Sequence, residues 1–341
     1  MKNNFSDFSN YAKGKSAGYI KSTIETSNSA TFYAFDSNPT LNRYISPKCR
    51  DSSRVILENH KTDYINANWV VSDSKEYRGK NILTQAPLKN TIPDFWAMIY
   101  QEKVEYIVMF CEFMEKSSQY LPTNEGDVEK YENFEVKFVR KEKDPVEGVN
   151  WIILHLFDRK SIDTRPRRVN HIHVTSWAEN TTPDDPKLTV ELYRWLMRKN
   201  ESHIPMVFHC NNGIGRSATF AAIYFLIRLD FDEDDLLISE SSTLFLQYLN
   251  EFRNGAIETT LQYCFIICCI FELLIQENRI ERTRDIDELM SDYKKYVGKV
   301  GEFIRVGGKE AKSDQIFPPS PEEKRKPRKK QSYKEIEFSL K

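Results

Sequence analysis

The 341 residues carry 49 Lys and Arg against 50 Asp and Glu, a formal net charge of −1. A balance so near zero supplies no overall field for nucleic acid or membrane, so charge that matters here is local. With 40% hydrophobic residues and no apolar run long enough to span a bilayer as a helix, the chain can build one large core or two small ones.

Residues 1–25 are polar and rich in Ser, Asn and Lys, and read as a flexible lead-in without the apolar stretch of a signal peptide. Residues 53–57 and 63–70 hold β-formers near period two around a polar turn, the pattern of a hairpin. Residues 82–88 predict a further strand, residues 90–101 space Phe95, Trp96, Met98 and Ile99 as a helix does, and residues 106–110 read as a buried strand. Two strands around a charged turn are expected over 131–139 and 151–157, and another over 168–175. Residues 187–198 set Leu188, Leu192, Trp195 and Leu196 on one helical face. A short buried strand over 205–208 leads to Cys210 just past its end, and a buried helix runs from Ser217. Two more apolar helices follow over 244–252 and 261–275.

Strands and helices interleave without repeats, which predicts an α/β fold: one domain over 26–280 with a twisted mixed sheet flanked by helices on both sides. Residues 281–300 read as an amphipathic helix carrying Ile286, Leu289, Met290, Tyr293 and Tyr296, and 301–341 as a disordered basic tail. Cys264, Cys268 and Cys269 crowd one apolar segment, so the six cysteines read as free thiols of a reducing, intracellular compartment.

The chemistry concentrates in His209-Cys210-Asn211-Asn212-Gly213-Ile214-Gly215-Arg216-Ser217. A loop with two glycines between a buried strand and a buried helix turns successive backbone N–H groups into one concavity. The helix N-terminus adds its partial positive charge, so an anion belongs there. Arg216 offers a planar fork for two phosphate oxygens. A thiol in that setting favours the thiolate form. Read as an isolated residue, Cys210 would be a structural core cysteine; read with His, Gly, Arg and Ser at this junction, it is a nucleophile.

His-Cys-x5-Arg-Ser resembles the signature of the cysteine-dependent protein tyrosine phosphatases, and the surrounding blocks resemble the phosphotyrosine-specific branch. These blocks are Asn42-Arg43-Tyr44, Asp63-Tyr64-Ile65-Asn66-Ala67, Thr84-Gln85-Ala86-Pro87, Glu115-Lys116 with Gln119-Tyr120-Leu121-Pro122, and Arg253 through Ala256-Ile257-Glu258-Thr259 to Gln262-Tyr263. The resemblance implies a tyrosine-phosphatase domain without cofactor or metal, acting on phosphotyrosine-containing proteins. It implies that Cys210 attacks phosphorus while Arg216 and the loop amides of residues 211–216 bind the phosphate. Tyr44 then stacks on the substrate ring, Ser217 hydrogen-bonds the sulfur, and His209, Trp177, Glu115 and Lys116 support the site.

Four places depart from the family pattern. The acid loop, Trp-Pro-Asp in the family, is Trp177-Ala178-Glu179 here, which makes Glu179 the aligned general acid and Asp184 a second candidate. Glu258 stands where the family has a Gln that orients the hydrolytic water, while the second Gln of that motif is kept as Gln262. Ser46 stands where the family often has an Asp that grips the substrate backbone. Asn211-Asn212 replaces a common Ser-Ala, an exchange expected to be tolerated because backbone amides form the cradle. These departures leave two readings, a slow or specialised phosphatase and a pseudophosphatase that binds phosphotyrosine; the Asn-Arg-Tyr block argues against a shallow dual-specificity cleft. The basic run over 323–330 reads as a solvated charge run, a nuclear-import address or an anchor for anionic surfaces, in a protein otherwise expected to be cytoplasmic.

Overall fold

The computed structural model describes residues 30–58, 60–73, 78–113, 118–200, 203–226 and 248–305. The expected lead-in over 1–25, the Glu115-Lys116 pair and nearly all of the tail lie outside those residues, as do residues 244–247 of the helix expected over 244–252, whose described part, 248–252, is helical. Nine strands form one sheet: β1 (Arg54–Ile56), β2 (Tyr64–Asp73), β3 (Arg78–Gln85), β4 (Tyr106–Met109), β5 (Val128–Tyr131), β6 (Phe134–Lys141), β7 (Val149–Asp158), β8 (Arg167–Val174) and β9 (Met206–Cys210). Their order is β1-β2-β3-β9-β4-β8-β7-β6-β5. The inner strands β3, β9, β4 and β8 run parallel, and antiparallel strands extend the sheet at both ends. The expected mixed sheet is therefore present, with β9 inside its parallel centre, where an α/β sheet places ligands beyond the carboxyl ends of its strands.

Among the described residues the sheet is accompanied by α1 (Tyr33–Ser37), α2 (Ile92–Gln101), α3 (Lys187–Lys199), α4 (Arg216–Leu226), α5 (Thr260–Gln276) and α6 (Arg284–Arg305), and residues 248–252 are helical too. Alternation along β9 puts neighbouring residues on opposite faces. Phe208 meets Phe220 and Tyr224 of α4 with ring centroids 5.6 and 5.8 Å apart, while His209 meets Phe95 of α2 at 5.9 Å. Every residue of α4 is buried, as its near-continuous apolar sequence requires. Helix α5 packs between α4, α3 and α6. Helix α6 buries Ile286, Leu289 and Tyr293 against the domain, and it runs on to Arg305, past the end expected at residue 300. All six cysteines are free; burial pushes the Cys264 thiol up to about 12, and Cys268 and Cys269 upward too.

Two boundaries differ from expectation. The strand expected over 131–139 is two strands, because the chain reverses at Glu132 (φ 52°) and Asn133 and Tyr131 pairs backward with Phe134. Strand β9 includes Cys210, whose neighbour Gln85 on β3 holds it in the ladder. The nucleophile candidate is thus the last residue of a central strand, fixed by sheet pairing before the loop begins.

Candidate active site

The loop over 211–215 is bound on every side. The backbone N–H of Ala86 donates to the carbonyls of Cys210 and Asn211 at 2.8 and 3.2 Å. Arg253, buried against the loop, donates to the carbonyls of Asn212 (3.0 Å) and Gly213 (3.3 Å) and to Asn68 Oδ1 (2.7 Å). Gly213 sits at φ +78°, and a β-carbon there would collide with the Thr84 carbonyl, so only glycine fits. This brings the Gly213 N–H to 3.2 Å from Cys210 Sγ, an amide aimed at the sulfur. Ser217 Oγ lies 3.2 Å from the same sulfur. Arg216 and Ser217 open α4, so the sulfur faces the helix N-terminus and its partial positive charge.

The loop over 177–183 closes over residues 211–216. Trp177 is buried between Phe110 (5.6 Å) and Phe265 (5.3 Å), and its carbonyl accepts from Arg216 Nη1 at 2.9 Å. Its indole N–H donates to the Thr181 carbonyl at 2.7 Å, and Thr181 Oγ1 donates to the Ala178 carbonyl at 2.8 Å. These bonds curl residues 177–181 into a turn with Asn180 at φ 59°. Glu179 then points back to the loop over 211–215, where Asn211 Nδ2 donates to its Oε1 at 2.9 Å. Asp184 is exposed, farther along the loop. At that end Tyr293 of α6 donates its hydroxyl to the Pro183 carbonyl and shares a 2.6 Å hydrogen bond with Thr182 Oγ1.

Glu258 and Gln262 reach the loop from the other side. A β-carbon at Gly215 would collide with a Glu258 carboxylate oxygen and lie 3.1 Å from Gln262 Nε2. The turn that delivers them is strained: β-branched Ile257 adopts φ 68°, held by burial and by its N–H donating to the Ile214 carbonyl at 2.8 Å. Gln262 Oε1 accepts from the Glu258 N–H at 2.9 Å, and Thr259 Oγ1 caps α5 by accepting from Gln262 N at 3.2 Å. Tyr44 is half-buried on a loop tied to the same place. Its neighbour Arg43 donates to the Ala86 and Pro87 carbonyls at 2.9 and 3.0 Å, and Pro47 packs against Gly255. The following residues, Ile45 and Ser46, are exposed at the rim.

His209 acts through a partner the sequence reading did not single out. The Tyr120 hydroxyl lies 2.7 Å from Nε2 of both His209 and His171, and all three side chains are buried behind β9. Burial pushes the His209 imidazole down to about 3, opposed in part by the backbone at Cys210, and lowers His171 as well. Both rings are therefore neutral at physiological pH, as a buried support should be and an ordinary general base is not. Arg253 and Ile257 belong to the block that runs to Gln262-Tyr263, but their places, Arg253 under the loop and Ile257 at the turn, emerge only in the fold. Among the described residues no cluster of His, Cys, Asp and Glu could hold a metal ion, and no helix is long and apolar enough to cross a membrane.

Thiol, amide and carboxylate thus meet at one loop at the end of a central strand, with the Arg216 guanidinium tied to the Trp177 carbonyl beside them. A family model described as protein-tyrosine phosphatase matches residues 38–272, from just before Asn42 to the last turn but one of α5. The chain belongs to the protein-tyrosine phosphatase family. Among curated relatives it is 33% identical over 250 residues to "Tyrosine-protein phosphatase non-receptor type 2" of Homo sapiens, covering 70% of this chain and 57% of that protein. It is 33% identical over 193 residues to "Tyrosine-protein phosphatase non-receptor type 23" of Homo sapiens, covering 54% of this chain and 11% of that protein. "Tyrosine-protein phosphatase 2" of Dictyostelium discoideum is 31% identical over 221 residues, covering 62% of this chain and 55% of that protein. The match spans little more than half the length of the first of these relatives, so the shared part is the phosphatase domain.

Proposed function

We propose that this phosphatase-family chain hydrolyses protein phosphotyrosine through a phosphocysteine intermediate. The observation that carries the reading is the placement of Cys210 Sγ at 3.2 Å from both the Gly213 amide and Ser217 Oγ, with Glu179 folded onto the same loop. The thiolate attacks phosphorus in line, and the tyrosyl oxygen leaves on the opposite side. Arg216 and the loop amides bind the equatorial oxygens, where positioning and electrostatics supply most of the catalysis. Glu179 gives its proton to the departing phenolate, a contribution of typically ~10²–10⁴-fold. Water then displaces the sulfur from phosphorus, with Ser217 hydrogen-bonded to the departing thiolate. Tyr44 walls the cleft and selects a phenol long enough to reach Cys210. The Glu258 carboxylate beside Gly215 supports the second reading, a binding module with little turnover, because it sets a negative charge against a bound phosphoryl group. The substrates are accordingly phosphotyrosine-containing proteins, and the basic run over 323–330 remains a candidate contact for import factors or anionic surfaces.

Steady-state hydrolysis of a phosphotyrosyl peptide by the full chain, beside Cys210→Ser and Glu179→Gln, tests this. Turnover that disappears in the first variant and falls in the second is expected. Equal inertness of wild type and both variants, with the peptide still bound, overturns the enzyme in favour of the binding module.

A further inference from the structure

Two departures from the family pattern touch each other. Where the family has Pro-Asp this chain has Ala178-Glu179, and where it commonly has Ser after the nucleophile this chain has Asn211; Asn211 Nδ2 donates to Glu179 Oε1 at 2.9 Å. We propose that Asn211 is a positioning residue for the general acid, its side chain holding the Glu179 carboxyl over the phosphate loop. The proposal rests on the reading of Glu179 as the acid.

Glutamate has one more rotatable bond than aspartate, and alanine at 178 leaves free a backbone that proline would restrict. Both changes spread the carboxyl over more positions. Bonds from Arg216 to the Trp177 carbonyl, from Thr181 to the Ala178 carbonyl, and between Tyr293 and Thr182 and Pro183 act on the loop's backbone or its ends. Asn211 acts on the carboxyl itself. It does so from a rigid base, being buried and one residue beyond the last paired residue of β9, with its carbonyl accepting from Ala86 N. A serine side chain is one atom shorter from the same backbone and would not reach the same oxygen without movement of the loop. Asn211 therefore does more than lend a backbone amide to the cradle.

The test compares kcat/KM, which stops at formation of the phosphocysteine, for a dinitrophenyl phosphate and for unsubstituted phenyl phosphate. The first leaving group departs without a proton and the second needs one. Asn211→Ser and Asn211→Ala should each lose roughly 10- to 100-fold on phenyl phosphate, the scale of a charge-assisted hydrogen bond, and far less on the dinitrophenyl ester. Added to Glu179→Gln, neither should cost anything more on phenyl phosphate, because an absent acid needs no positioning. Equal losses on both esters, losses that add to Glu179→Gln, or no loss at all would each overturn the proposal. If Glu179→Gln alone spares phenyl phosphate, it is the acid assignment that fails, and the positioning role falls with it. Turnover of the dinitrophenyl ester reports that each variant is folded.

Discussion

Glu258→Gln removes the carboxylate beside Gly215 and should speed breakdown of the intermediate. The carboxylate crowds Gly215, so it sits close to any phosphoryl group in the loop. Two unit charges about 4 Å apart repel by roughly 1–4 kcal/mol for effective dielectrics between water and a protein surface. Relieving that repulsion corresponds to about 5-fold to about 1,000-fold in the affected step. The backbone N–H of Glu258 donates to Gln262 Oε1 and the strained turn at Ile257 is set by backbone contacts, so the exchange leaves the local fold in place. Stopped-flow hydrolysis of p-nitrophenyl phosphate separates the steps. Wild type should release a burst of nitrophenolate followed by slow turnover; Glu258→Gln should raise the steady rate and shrink the burst. A wild type without a burst, together with a variant whose kcat is unchanged or lower, would refute the repulsion argument.

Tyr293→Phe removes the hydroxyl that binds Thr182 and the Pro183 carbonyl and should loosen the acid loop. A loss of about 0.5–1.5 kcal/mol per bond predicts a several-fold fall in phosphotyrosyl peptide turnover with the ring still packed on Phe265, measurable by steady-state kinetics and thermal melting. Gly213→Ala meets the Thr84 carbonyl at a positive φ and should destabilise the fold by at least about 1–3 kcal/mol, read from denaturant titration with a matching loss of phosphate binding. His209, lowered to about 3 when folded against about 6.5 unfolded, binds fewer protons in the native state through that window. Its stabilising effect is complete above the unfolded value and is lost as pH falls, at about 1.4 kcal/mol per pH unit; His171 adds the same sign. Asp94, raised to about 6, contributes the opposite slope from about pH 4 to 6. Melting temperature should therefore drop from pH 6.5 downward, less steeply where Asp94 titrates, and a flat profile would contradict the buried neutral histidines.

Much of the site was legible because its residues are neighbours in sequence. The strand, the two glycines, Arg216 and the helix all lie within one short stretch, and each carries its own local signal. The hairpin of β1 and β2, the helix α2 and the apolar α5 were likewise set by period and composition. What was not legible is made by distant pairs. Tyr120 meets His171 and His209 across separations of 51 and 89 residues, and Asn211 meets Glu179 across 32; no periodicity encodes such meetings. Ile257 reads as an ordinary core isoleucine, and its left-handed backbone is imposed by the Ile214 carbonyl and its surroundings. The split of the 131–139 segment into β5 and β6 hung on a two-residue turn lacking Gly or Pro, in which Glu132 adopts a conformation its residue type seldom takes.

The most direct test of the account is to trap the intermediate. The full chain is mixed with p-nitrophenyl phosphate, quenched in acid within the first turnover, digested and examined by mass spectrometry. The account predicts one phosphate on the peptide that contains Cys210 in wild type, and none there in Cys210→Ser. Turnover without a phosphorylated Cys210, or a phosphate carried on another residue, would contradict it.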